Sequence, residues 1–122
     1  DMGEAAYNLG VLLSGDRLAE AIGLLGEAYR LVPNAKYGYT LAFYQREAGM
    51  TDDAVETLIG IIEEWPTHVD STLLLGAIYS REKRSADAEA LYRDALNVEG
   101  LSVQDRRRLE LELDAMNVPK DG

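Results

Sequence analysis

Apolar residues recur along the chain at spacings of three and four, and stretches with this pattern are broken by turn chemistry at nearly regular distances. Tyr37, Leu41, Tyr44 and Ala48 form one stripe, which Gly49 ends. Ala54, Leu58, Ile61 and Ile62 form the next, which Pro66 ends. Leu75, Ile78 and Tyr79, followed by Ala88, Leu91, Tyr92 and Ala95, repeat the layout, and Asn97 to Gly100 closes it. Each stripe predicts a helix with one buried face. Thr51 and Ser85 stand where an N-cap is expected, and Asp52 and Asp53 follow in a first turn, where the helix dipole favours negative charge.

The stripes are copies of one another. A shift of 34 residues superposes Leu41 on Leu75, Ala42 on Gly76, Ala54 on Ala88, Leu58 on Tyr92, Ile61 on Ala95 and Pro66 on Gly100. An earlier copy, with Leu9, Gly10, Ala21, Leu25, Ala28 and Pro33, reaches the second by shifts of 32 and then 33, the shortfalls falling in connections. Small residues recur at Gly10, Ala42 and Gly76 and again at Ala21, Ala54 and Ala88, because paired helices approach closely only where one presents almost no side chain. A Leu at Ala54 is expected to overpack such a crossing by roughly 1–3 kcal/mol. After residue 100 the repeat stops. Ser102 and Asp105 resemble a capping box, and Leu109, Leu113 and Met116 make a single stripe between Arg106, Arg107, Arg108 and the acids Glu110, Glu112 and Asp114, as a terminal cap on a stack requires.

Composition narrows the function classes. The 122 residues are 47% apolar and 28% charged, within the range of folded domains and of a size for one core, so a single domain over 1–122 is expected. The net charge of −10 disfavours phosphate backbones and anionic lipid, and no apolar window is long enough to span a bilayer. Without cysteine, thiolate chemistry and disulfides are excluded. An opening of Asp1-Met2 is expected of a segment whose natural start lies further upstream.

The residues Asn8-Leu9-Gly10, Ala21, Ala28, Pro33, then Leu41-Ala42, Gly49, Ala54, Pro66, then Leu75-Gly76, Tyr79, Ala88 and Ala95 resemble tetratricopeptide repeats. Three copies are delimited at about 3–34, 35–68 and 69–100, with a capping helix at about 102–117. Departures are Gly100 where Pro is usual, Lys83 where the turn Gly is usual, and the shortened connections of the first copy. The resemblance implies an all-α, right-handed superhelical solenoid whose concave side is lined by the first helix of each repeat and holds a peptide or a neighbouring protein.

Carried over position by position, the groove wall comprises Glu4, Tyr7, Asn8 and Val11; Lys36, Tyr39, Thr40, Phe43, Arg46 and Glu47; and Asp70, Leu73, Leu74, Ala77, Ser80 and Arg81. Tyr39 and Phe43, four apart, are expected to offer a ring platform, since large rigid rings most often anchor interfaces. The implied partner is a protein or peptide with apolar anchors, with a basic residue answering Glu47 or Asp70. One subset of the family grips the carboxylates of chaperone tails with Lys, Asn, Asn, Lys and Arg. The matching places here hold Tyr7, Val11, Thr40, Asp70 and Leu74, so that ligand is not expected.

Other chemistry is not expected. His68 is the only histidine and reads as a solvated turn residue. Asp52-Asp53 and Glu63-Glu64 lack the alternating ligands of a calcium loop, and Gly23-x-x-Gly26 lacks the Lys-Ser/Thr of a phosphate loop. Gly23, Gly26 and Gly60 are read as helix residues that let something approach the outer side. Arg106 to Arg108 fan out by about 100° per residue, as solvated cap surface. The chain is therefore read as a non-catalytic interaction module without cofactor or metal. The alternative is a C-terminal structural or self-association segment of a longer tetratricopeptide-repeat protein whose activity lies upstream, with a homodimer formed through the uncapped N-terminal repeat and its greasy opening helix Ala5 to Leu13.

Overall fold

The computed structural model describes residues 1–13 and 17–116. Among these residues the regular structure is helical: α1 (Met2–Leu13), α2 (Leu18–Leu31), α3 (Ala35–Glu47), α4 (Thr51–Glu64), α5 (Val69–Arg81), α6 (Ser85–Leu96) and α7 (Val103–Met116). The expected last residue of the capping helix, 117, lies outside the described residues. Helices pair as α1 with α2, α3 with α4 and α5 with α6. Each second helix also packs on the first helix of the next pair, so the pairs stack, and α7 docks on α6 and α5 at the end.

The small residues sit at the crossings. Ala21, Ala42, Ala54 and Ala88 are fully buried. A Cβ placed on Gly10 would meet Leu25 at 2.9 Å, and one on Gly76 would stand 2.5 Å from Tyr92 Cε1 and nearer still to Cζ and Oη. Around these contacts Leu58, Ile61, Leu75, Ile78 and Leu109 form the continuous core. Ala48, expected on the buried stripe of α3, is instead its exposed C-cap residue. The stripe has already left the core by the last turn.

Helix starts differ from expectation for a definable reason. Gly49 has φ +78°, and Met50 N–H donates to the Gln45 carbonyl at 2.8 Å while Gly49 N–H donates to that of Arg46 at 3.0 Å. This is a left-handed helix closure in which the residue after the glycine is also the residue before α4. Met50, not Thr51, therefore occupies the N-cap, and Thr51 is the first helical residue. The α5–α6 turn repeats it: Lys83 has φ +62°, Arg84 N–H donates to the Tyr79 carbonyl at 2.8 Å, and Arg84 displaces Ser85 from the N-cap. The Arg84 guanidinium lies 4.4 Å from the centre of the Tyr79 ring, covering the turn. Gly100, at φ +90°, replaces the usual Pro because a proline ring cannot adopt that angle. Side-chain caps do appear elsewhere. Asn34 Oδ1 accepts from Tyr37 N–H at 2.8 Å, Asp1 Oδ1 from Glu4 N–H at 2.7 Å, and Ser102 Oγ from Asp105 N–H at 3.0 Å. The reciprocal half of the expected capping box is absent among these bonds, since the Asp105 carboxylate accepts from Arg108.

Candidate functional site

Helices α1, α3 and α5 stand side by side, and the residues they turn away from their second-helix partners form a shallow trough. At its first-repeat end is a cavity of about 310 Å³ lined by Tyr7, Val11, Tyr39, Thr40, Phe43 and Tyr44. Tyr7 is fixed from two sides. Its ring stacks on Tyr37 at 4.4 Å between centres, and its hydroxyl lies 3.2 Å from Thr40 Oγ1. Because the Thr40 hydroxyl donates to the Lys36 carbonyl at 3.0 Å, the Tyr7 hydroxyl is the donor in the first bond. The Lys36 ammonium stands 5.3 Å from the Tyr7 ring centre. Phe43 meets Tyr44 edge to face at 5.3 Å and carries the Arg46 guanidinium 5.0 Å from its own centre. The rings are thus held in place by packing before any ligand arrives, which lowers the entropy that a ligand must overcome.

Tyr39 is half-buried and leads toward the charged part of the trough. Burial pushes its phenol above the ordinary tyrosine value and the negative charge of Asp70 adds to this, while Arg46 and Arg108 act in the opposite sense. Its ring meets His68 edge-on at 5.8 Å, and His68 Nδ1 is hydrogen-bonded to Ser71 Oγ at 2.8 Å. His68 is therefore half-buried packing beneath Tyr39 and not a freely solvated turn residue.

The two carboxylates expected to answer a basic ligand already have partners. Glu47 accepts from Arg46 at 3.0 Å, and Asp70 accepts from Arg108 at 2.5 Å. Arg108 also reaches Asp105 at 3.0 Å, and the bond to Asp70 raises its already high pKa further. Arg108 is thus not merely solvated cap surface: the capping helix supplies a residue to the concave side. A second cavity, of about 470 Å³ and mostly polar, lies further along between Arg46, Glu47, Thr51, Ile78, Arg81 and Glu82.

The expected wall residues divide into four groups. Tyr7, Val11, Tyr39, Thr40 and Phe43 come together around the first cavity, and Arg46, Glu47 and Arg81 around the second. Glu4, Asn8, Lys36, Asp70, Ala77 and Ser80 are exposed, outside both linings. Leu74 does not belong to the wall. It is buried with Leu75 in the core, because α5 is enclosed by α3, α4, α6 and α7 and has apolar neighbours on most of its circumference. Leu73 is half-buried against the same core. Conversely, Tyr44, read from the sequence as core, lines the first cavity. Tyr39 and Phe43 make ring contacts with His68 and Tyr44, so the expected platform is a row of separately braced rings. Gly23, Gly26 and Gly60 have nothing within 4 Å of where a Cβ would stand, so nothing among the described residues approaches them.

The stacked pairs and their crossings are similar to a solved structure, the TPR domain of Arabidopsis OM64. The TM-score is 0.70 at 22% sequence identity, over 93% of this chain and 95% of that one. The chain has the tetratricopeptide-repeat fold. No family model and no curated protein matches the sequence. The all-α, right-handed superhelical solenoid that the resemblance to tetratricopeptide repeats implies is therefore the architecture found. Within a tetratricopeptide-repeat stack, the trough on α1, α3 and α5 is the concave side, and α7 takes the place of a further first helix. That placement explains how Arg108 reaches Asp70.

Proposed function

We propose that this domain is a non-catalytic interaction module that holds a peptide segment of a partner protein by its apolar anchors in the concave trough. The observation that carries the reading is the cavity walled by Tyr7, Val11, Tyr39, Phe43 and Tyr44, whose rings are braced by one another and by Thr40. A cavity of about 310 Å³ accepts one large side chain and its neighbours, not a whole folded surface. Charge plays the lesser role. Pairing of Glu47 with Arg46 and of Asp70 with Arg108 neutralises the wall, so a basic ligand residue is not what this trough selects. Exposed ion pairs of this kind set orientation and exclude wrong partners more than they add affinity.

The test is selection from a random peptide library against the 122-residue chain, followed by titration of the enriched peptides. They are expected to share an aromatic or branched aliphatic residue. Tyr39→Ala with Phe43→Ala is expected to weaken them by about 2–4 kcal/mol with helicity by circular dichroism unchanged. Enriched peptides that bind the double variant as tightly as the parent would place the binding surface elsewhere.

A further inference from the structure

The two cavities of the trough share a wall. Phe43 lines the first and Arg46 the second, with the Arg46 guanidinium 5.0 Å from the Phe43 ring centre. A peptide that seats an anchor among the rings and continues along α3 therefore reaches the second cavity, of about 470 Å³, at the C-terminal ends of α3 and α5. The charges that line it differ in what they already touch. Glu47 holds Arg46 at 3.0 Å. Glu82 acts on Arg84, whose pKa is raised first by its hydrogen bond to Asp87 and also by the charge of Glu82. Arg81 is exposed, and among the described residues it has no hydrogen bond, ion pair or ring contact. One positive charge in the cavity is thus left unanswered. Thr51, the first residue of α4, brings the positive end of that helix to the same cavity, and no side chain caps it. Ile78, 2% exposed, supplies an apolar floor.

We propose that this cavity receives the side-chain carboxylate of an aspartate or glutamate of the bound peptide, with Arg81 as its principal partner and Arg46 as a second donor. The inference rests on the peptide-binding reading above and adds a charged subsite to it. Charge counting selects a carboxylate. One unpaired guanidinium matches one negative charge, whereas a phosphate close to −2 would leave a surplus beside Glu47 and Glu82. Guanidinium N–H groups also fit the two oxygens of a carboxylate in parallel, and Arg46 has donors beyond the one that Glu47 takes. The site is distinct from the chaperone-tail clamp, whose five places hold Tyr7, Val11, Thr40, Asp70 and Leu74, all outside this lining. One turn along α3 and one helix spacing across to α5 separate Phe43 from Arg81, roughly 10 Å. The acid therefore stands about three residues from the anchor in an extended peptide.

The experiment selects, on the 122-residue chain, from a library of peptides with one fixed tryptophan among random positions. Enriched sequences are then synthesised with amidated C-termini and titrated. Aspartate or glutamate is expected at about two to four residues from the tryptophan, and replacing it by glutamine should weaken binding roughly threefold to tenfold at low ionic strength. Arg81→Gln should weaken the acidic peptide by the same factor and leave the glutamine peptide unchanged, and Arg81→Glu should favour lysine at that position. Because Arg81 is exposed, both variants should unfold thermally with the parent. Tyr39→Ala with Phe43→Ala should weaken the acidic and glutamine peptides alike, which separates the anchor cavity from this subsite. Tryptophan-anchored peptides without an acidic preference overturn the subsite and leave the trough reading standing. An acidic preference indifferent to Arg81→Gln, tighter binding when phosphoserine replaces the acid, or loss of binding on amidation also overturns it. If no tryptophan-dependent peptide binds, the trough reading falls and the subsite with it.

Discussion

Two glycines of the same chain are expected to respond to the same substitution with opposite sign. Gly76 in α5 crosses α6 at Tyr92, and an added Cβ would stand 2.5 Å from Cε1 and closer to the two atoms beyond. Tyr92 is only 3% exposed, so its ring cannot swing into solvent to make room. Forcing one methyl into such a contact costs about 1–3 kcal/mol, against which alanine regains about 1 kcal/mol of helix propensity. With three ring atoms within 2.5 Å the upper part of that range applies, about 2–3 kcal/mol, so Gly76→Ala is expected to destabilise by about 1–2 kcal/mol. Gly60, exposed within α4, meets nothing within 4 Å, so Gly60→Ala keeps the propensity gain alone and stabilises by about 0.5–1 kcal/mol. For a domain of this size 1 kcal/mol corresponds to roughly 4 °C of melting temperature. Thermal melts of the two variants should thus diverge from the parent in opposite directions. In a Tyr92→Leu background the cost of Gly76→Ala should shrink, because the atoms it collides with are gone. A Gly76→Ala protein as stable as the parent would refute the close crossing, and a destabilised Gly60→Ala would show that α4's outer face is in contact with something.

Lys83→Gly is expected to stabilise by about 0.5–1 kcal/mol in urea titration, because Lys83 holds the left-handed angle that Gly49 holds without strain at the equivalent turn. The reciprocal Gly49→Lys should destabilise by a similar amount. Alkaline pH is expected to weaken the fold through Tyr92, whose phenol is raised from 10.0 to about 12 first by burial and then by Glu112. The folded state holds that proton more tightly than the unfolded chain. Its contribution is complete below pH 10.0 and is lost as pH rises toward 12, by up to about 2–3 kcal/mol. Urea midpoints measured across this window should fall more steeply for the parent than for Tyr92→Phe, and equal slopes would remove Tyr92 as the cause.

The helix pairs were legible because a crossing leaves a direct imprint on sequence. Where two backbones must approach, the residue is small whatever surrounds it, and Gly10, Ala42 and Gly76 recur for that reason at nearly fixed distance. The cap residues were misplaced for an equally physical reason. Thr51 and Ser85 have the chemistry of N-caps, but the left-handed closure at Gly49 and Lys83 makes one residue serve as the end of one helix and the start of the next, and the hydroxyls arrive one position late. Local propensity loses to the hydrogen bonds that close the preceding helix.

The trough was legible in outline and not in chemistry, and the cause is sequence separation. Tyr7, Tyr39 and Phe43 follow from the resemblance to tetratricopeptide repeats, carried over position by position. Whether a wall charge is available to a ligand depends on which other charge reaches it, and Asp70 and Arg108 are 38 residues apart. Nothing local in Arg106-Arg107-Arg108 separates the third from the other two. Only the docking of α7 on α5 and α6 turns Arg108 onto the concave side, where it occupies the carboxylate that would otherwise have attracted a basic ligand. Leu74 shows the converse. Its register is that of a wall residue, equivalent to Thr40, yet it is apolar and buried in the core where Thr40 lines the cavity. Repeat register therefore predicts which side of a helix a residue occupies, whereas what that side touches depends on the side chains its neighbours bring to it. The ends of the stack show this distinction most clearly: α7 adds a charge to the trough at one end, and at the other Leu9 of α1 is exposed where its counterparts Leu41 and Leu75 are buried.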